Sequence, residues 1–191
     1  MKNLVAIIFC VIALSTQAKE TKWFQGVVVL ADGLVLNGEL ALQEVFEMVL
    51  FRDSNGLRVL PAHRVAEVRY YDYDSDINRH FVSIEKSGPR LESNLYEVVL
   101  EGQVRVLRKV KRLHSKEKSD RFDYHYYVAG PRQMVNLKQF RSKVYPDLVK
   151  DHPAIIAYQR RHKLNPNLPG DAILLIGYCN DFGSDRIITR K

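Results

Sequence analysis

The chain has 191 residues, an ordinary globular composition and a formal net charge of +7. That length allows one domain with a sizeable core, and the lack of any low-complexity tract excludes a disordered or fibrous class. The charge is uneven: nine Lys and Arg stand against thirteen Asp and Glu in residues 19–100, and nineteen against nine in residues 101–191. A basic second half is expected to suit an anionic surface, a glycan or an acidic protein.

Lys2 precedes an unbroken apolar run from Leu4 to Leu14, with Thr16 and Ala18 at the small-residue positions of a cleavage site. Residues 1–18 are therefore expected to be a signal peptide, and the chain to be exported to a periplasm or beyond. The run is too short to span a bilayer, so no transmembrane helix is expected after cleavage. Cys10 would leave with the leader, and Cys179 would then be the only cysteine. No internal disulfide is expected, and Cys179, in step with Ala172, Leu175 and Ile176 at helical spacing, reads as a small buried residue.

Residues 19–130 read as an antiparallel β domain. Trp23 to Leu30 is β-branched and aromatic, and Asp32-Gly33 is a turn before Leu34-Val35-Leu36. Asn37-Gly38 is expected to be a second tight turn or a glycine bulge. Leu40 to Phe51 is long enough for a strand pair or one bent strand, and Asp53 to Gly56 has turn chemistry. Leu57–Leu60, Val65–Tyr71 and a short strand Phe81–Ile84 follow, with a polar loop at Asp72–Asn78 and a breaker at Ser87-Gly88-Pro89. Leu95–Leu100, Val104–Val110 and Phe122–Val128 complete the strands, with Gly102 at one turn and a charged loop at His114–Asp120.

The period changes after Gly130-Pro131, and residues 131–183 read as a helical tail. Leu137, Phe140, Val144 and Leu148 share one helical stripe, with Asn136 as N-cap and Pro146 kinking or splitting it. Asp151-His152-Pro153 starts a second helix that ends in Arg160, Arg161, His162 and Lys163. A third is expected from about Gly170 to Phe182, stopped at Gly183, with residues 184–191 frayed. The fold class is α+β: an antiparallel β barrel or sandwich followed by about three short C-terminal helices.

Three stretches carry a further signal: Gly26 to Gly38, then Tyr96-Glu97 with Gly102, Leu107, Tyr124 and Tyr126-Tyr127, and finally Tyr158, His162, Leu164 and Tyr178-Cys179-Asn180. On these the chain resembles a group of exported bacterial proteins with no assigned function. The resemblance implies a β domain followed by a helical tail and brings no catalytic residue. Independently of it, the closing Tyr178-Cys179-Asn180 is expected to pack the last helix onto the sheet.

Arg105, Arg108, Lys109, Lys111 and Arg112 form a dense charge run in which Val104 and Val106 alternate, so one wet, basic strand face is expected there, close to Phe122, Tyr124, Tyr126 and Tyr127. These five cations are the expected binding residues for an anionic partner. Asp72, Asp74 and Asp76 alternate in a loop and offer oxygen ligands to Ca²⁺, although Ile77 and Ser83 stand where a calcium loop needs Gly and Glu. Six histidines are present, none at metal-ligand spacing. Phosphate-loop and dinucleotide motifs are missing, which disfavours nucleotide chemistry. The expected function is a non-enzymatic exported binding or envelope-associated module. One alternative is a small hydrolase whose His/Asp pocket draws on two of His63, His80 and His125; another is a calcium-stabilised structural domain.

Overall fold

The computed structural model describes residues 21–86, 92–112, 122–130 and 133–188, with the backbone alone at 86, 92, 111–112, 122 and 182–188. The expected signal peptide, the breaker at 87–89 and the charged loop at 114–120 lie outside the described residues. Ten strands form one antiparallel sheet: β1 (Phe24–Leu30), β2 (Val35–Gln43), β3 (Met48–Asp53), β4 (Gly56–Pro61), β5 (Val65–Asp72), β6 (Ile77–Lys86), β7 (Glu92–Leu100), β8 (Arg105–Arg112), β9 (Phe122–Ala129) and β10 (Met134–Asn136). Their order is β10-β9-β8-β7-β6-β5-β1-β2-β3-β4. The chain thus meanders out from β1 to the β4 edge, returns as β5 on the other side of β1, and meanders on to the β10 edge.

Local chemistry sets the turns. Leu34 N–H donates to Asp32 Oδ1 at 3.0 Å, and Asn55 N–H donates to Asp53 Oδ1 at 2.8 Å. Both are carboxylates bonding the backbone two residues on, which holds the chain in a tight reversal. Leu40 to Phe51 is a strand pair, joined by a 3₁₀ turn at Glu44–Phe46. Asn37-Gly38 is neither a turn nor a bulge: β2 runs straight through it, and Gly38 pairs with Gly26 of β1. The reason for glycine there is space, because a β-carbon at Gly38 would collide with the Phe51 ring and the Arg52 carbonyl. The β6 strand is longer than expected and reaches from Ile77 to Lys86, and β10 is a strand the periodicity did not show.

The sheet curls. Laid flat, β4 and β7 would stand roughly 29 Å apart at the usual strand spacing. Instead Leu60 of β4 and Leu95 of β7 belong to one core with Val28, Leu40, Phe51, Val68 and Phe81. Ser83 Oγ, on β6, donates to the Ala62 carbonyl just after β4 at 2.8 Å, which ties the two sides together. The two edge strands do not pair with each other.

Four helices follow: α1 (Phe140–Lys143), α2 (Tyr145–Asp151), α3 (Ile155–His162) and α4 (Pro169–Ile188). Asn136 caps the first turn by accepting from Lys138 N–H at 3.0 Å. The stripe expected as one helix is split before Pro146, which takes an early position of α2, where its missing N–H costs nothing. The last helix runs on through Gly183, so the expected stop there is corrected; a mid-helix glycine costs only about 1 kcal/mol. Phe140, Ile155, Leu175 and Ile176 are fully buried against Val106 of β8 and Val128 of β9. Each such side chain contributes about 2 kcal/mol by leaving water. Leu107, next to Val106, is equally buried on the opposite face with Tyr96 and Ala129, so β8 is covered on both sides. Among the described residues no helix is long and apolar enough to cross a membrane.

Candidate functional site

Side chains alternate along a strand, so register decides which residues meet. Tyr70 pairs with Arg79, Phe81 with Glu97, and Glu97 with Arg108. Asp72, Arg79, Glu97 and Arg108 therefore lie on one sheet face, in a diagonal line across β5 to β8. Arg79 Nη2 reaches Asp72 Oδ2 at 3.2 Å and Arg79 Nη1 reaches Glu97 Oε1 at 2.6 Å. Arg108 Nε donates to the other oxygen, Glu97 Oε2, at 2.7 Å. Asp72 and Glu97 are the only buried charged residues among those described, each 8% exposed. Buried charges need this kind of mutual satisfaction, because an unpaired one costs several kcal/mol. Burial works against ionised Asp72, yet the Ser75 and Arg79 hydrogen bonds outweigh it and hold its carboxyl below the usual value.

A second feature adjoins this line. The β7–β8 ladder runs only from Glu97↔Arg108 to Leu100↔Val106, and the residues of β7 before Glu97 pair with β6 alone. The sheet therefore parts at Glu97 and Arg108. The Glu44–Phe46 turn, from the far side of the curled sheet, sits in the parting. Leu95 N–H, which has no β8 carbonyl to meet, donates to Glu47 Oε2 at 2.7 Å, and Lys109 Nζ stands 2.6 Å from Glu47 Oε1. Glu47 holds a left-handed backbone, φ 52°, a conformation that costs a non-glycine residue about 1 kcal/mol. Its carbonyl accepts from Ala62 N–H at 2.8 Å. Glu44 lies beside the Arg79–Glu97–Arg108 line; burial, aided by the nearby Glu97, pushes its carboxyl up to about 7.

The five cations expected to bind an anionic partner, part of them on one basic strand face, are divided by the strand. Arg108 is on the face opposite Arg105 and Lys109, because β8 alternates throughout its ladder with β9. Arg108 is taken up by Glu97 and stacks over Tyr124 at 4.7 Å; Lys109 is taken up by Glu47 and lies over Tyr96 at 5.3 Å. The side chains of Lys111 and Arg112 lie outside the described residues. Burial on both faces of β8 is what draws Arg108 and Lys109 inward.

The three loop aspartates engage different partners. Asp72 accepts from Asp74 N–H, Ser75 N–H and Arg79; Asp74 pairs with Lys22 at 2.5 Å; Asp76 accepts from Tyr71 Oη. Among the described residues no group of three or more His, Cys, Asp or Glu side chains converges as a metal site would require. The histidines are likewise spread. His63 lies in the 3₁₀ turn Ala62–Arg64, His80 on β6 beside Glu67 at 3.1 Å and Glu101 at 3.5 Å, and His125 on β9 beside Asp123 at 3.1 Å. With β7 and β8 between them, His80 and His125 are three strands, about 14 Å, apart. Among the described residues two histidines line cavities beside carboxylates: His152, with Asp147 and Asp151, one of about 740 Å³ between α1–α2 and the ends of β8 and β9, and His80, with Glu101 and Arg79, one of about 580 Å³ on β5 and β6.

Sequence reasoning passed over two arrangements. Lys138, Lys143, Lys150, Arg160, Arg161 and Lys163 of the helical layer are exposed, and none of them has an ion-pair partner among the described residues. The last three stand at the end of α3, beside a stack in which Tyr158 lies 4.1 Å from Tyr178 and 4.4 Å from His162. The helix-end position gave a sufficient local reason for those cations. The density of β8 drew attention away from them. No family model matches the chain, and neither a curated protein nor a solved structure matches it.

Proposed function

We propose that the protein is a non-catalytic, exported binding module that meets an anionic partner through its helical layer rather than through β8. One observation supports this above the others: Arg160, Arg161 and Lys163 cluster at the end of α3, exposed and unpaired among the described residues, while Arg108 and Lys109 are committed to interior ion pairs. Exposed cations without partners give a surface potential at no internal cost, and that potential attracts carboxylate- or phosphate-bearing surfaces, glycans or acidic chains. The exposed ring of His162 beside Tyr158 adds an aromatic face next to the charge.

The test is binding to vesicles of anionic lipid and to a soluble sulfated glycan across an ionic-strength series. Both probes share the expected chemistry. Replacing Arg160, Arg161 and Lys163 by Ala lowers affinity about tenfold or more at low salt, and the difference fades as salt rises. A control of equal charge, Lys22→Ala with Arg52→Ala and Arg69→Ala, keeps near wild-type binding. Salt-independent retention, or equal loss in both variants, overturns the proposal.

A further inference from the structure

We propose that the Glu44–Phe46 turn is a proton-operated latch, closed over the point where β7 and β8 part and released when Glu44 ionises. This inference is independent of the anionic partner. It stands first on topology. Past Glu97 and Arg108 the two strands no longer pair through their backbones; Lys109 Nζ of β8 donates to Asn94 Oδ1 of β7 across the parting, and a turn brought from the other side of the sheet fills it. Its attachments are few: the Ala62 N–H on the Glu47 carbonyl, and Leu95 N–H and Lys109 Nζ on the Glu47 carboxylate. Val45 and Phe46, between Glu44 and Glu47, face solvent and add little burial to hold the turn down.

The charges around Glu44 make it the sensitive member. It faces Glu97 of β7, Arg108 of β8, Arg79 of β6 and Tyr70 of β5, with Glu47 on its own turn; Asp72 lies beyond Arg79, and Lys109 is paired with Glu47. Among these, Asp72, Arg79, Glu97 and Arg108 balance to zero, as do Glu47 and Lys109. Glu44 is therefore the unmatched carboxyl. No hydrogen bond or ion pair involves its side chain among the described residues. Neutral, it leaves the line balanced. Ionised, it places an additional negative charge beside Glu97 in a partly dry interior, where burial penalises it most.

The sign follows from linkage. A carboxyl held near 7 when closed and near 4.5 when free binds its proton more tightly in the closed form, so opening grows with pH and levels off above the closed-form value. Between pH 6 and pH 8 the opening equilibrium rises about tenfold. Opening releases Lys109 from Glu47, leaving it on Asn94, and uncovers the edges of β7 and β8 beyond the parting.

The experiment is amide hydrogen exchange of the full chain, corrected for intrinsic base catalysis, with the Glu44 carboxyl titration followed by carbon NMR. The expected result is that Leu95 N–H loses about tenfold in protection from pH 6 to 8, that at both pH values it exchanges faster than Val68 N–H in the core and with less dependence on urea, as a local opening does, and that Glu44→Gln abolishes the change. Three results overturn the proposal: flat Leu95 protection in the wild type, Leu95 and Val68 equally protected at both pH values so that only global unfolding exposes Leu95, or an unchanged pH profile in Glu44→Gln. Should Glu44→Gln not fold, the wild type decides, because the Leu95 midpoint must coincide with the Glu44 titration and a mismatch refutes the latch.

Discussion

The side-chain amide of Asn180 occupies the space that a β-carbon would need at Gly102. From α4 it accepts Val104 N–H at 3.1 Å and donates to the Val104 and Glu101 carbonyls at 2.9 and 3.2 Å. Gly102 sits in the β7–β8 turn at φ 147°, where a side chain is strained as well as obstructed. One helix residue thus replaces the hydrogen bonds that the turn backbone lacks, and the turn residue must be glycine to let it in.

This pairing gives the first prediction. Asn180→Ala leaves three backbone groups without their partner and costs about 2 kcal/mol in urea unfolding. Gly102→Ala costs at least as much, about 2–3 kcal/mol, from collision and strain together. In the double variant the collision is gone, so the combined loss is smaller than the sum of the two. Strict additivity would show that the two residues do not share one site.

Glu97 is the hinge of the interior charge line, with a guanidinium on each oxygen. Glu97→Gln leaves Arg79 and Arg108 facing each other without their shared counter-charge, and a loss of about 3–4 kcal/mol in chemical unfolding is expected. Replacing Arg79 and Arg108 by Met together with Glu97→Leu removes the charges with their desolvation cost and recovers most of that loss. A triple variant as unstable as Glu97→Gln would show that the line adds net stability rather than satisfying itself.

The strands and turns were legible because their signals are local: Asp32 and Asp53 bond the backbone two residues away, and the valine-rich run of β1 needs no distant partner to be read. Asn37-Gly38 misled for the same reason. Its dipeptide chemistry says turn, while its glycine answers to Phe51, which no local rule sees. The expected packing of Tyr178-Cys179-Asn180 on the sheet matches the Asn180 contacts with Glu101 and Val104, although nothing in the spacing showed that the receiving element was a turn. Alternation divides the basic run between the two faces of β8. The run was recognised as a strand, but burial on both sides of β8, which draws Arg108 and Lys109 into ion pairs, depends on helices and a turn far away in the chain. The parting of β7 and β8 has no sequence signature, since it is set by where the Glu44–Phe46 turn lands.

Cys179 lies in the helical core at 3% exposure, and burial pushes its thiol up to about 11. A thiolate is the reactive form, so at pH 8 the folded protein has almost none of it and little access to it. Disulfide-exchange reagents are expected to leave Cys179 unmodified in the native chain over hours and to titrate it within minutes in guanidinium. Rapid stoichiometric labelling of Cys179 in the native form, located by peptide mass spectrometry, would place its sulfur at the surface and displace α4 from its seat.

Two carboxyls with opposite shifts shape the stability of the whole fold against pH. Asp72 titrates below its ordinary 3.8 in the native state, so its contribution is present above that value and is lost as pH falls through the lower native one. Glu44 is raised from 4.5 to about 7, so its contribution is present below 4.5 and is lost as pH rises through about 7. The two windows overlap only between about pH 4 and 5, where these carboxyls together favour folding most. Urea unfolding read from the fluorescence of Trp23, the only tryptophan, reports the curve. Stability is expected to climb from pH 2 to a maximum near pH 4–5 and to decline towards pH 8. Glu44→Gln flattens the alkaline limb and keeps the acid one; Asp72→Asn weakens the acid limb and keeps the alkaline one. Stability that rises steadily from pH 5 to pH 8 in the wild type would mean that Glu44 ionises freely in the folded chain and carries no penalty for being where it is.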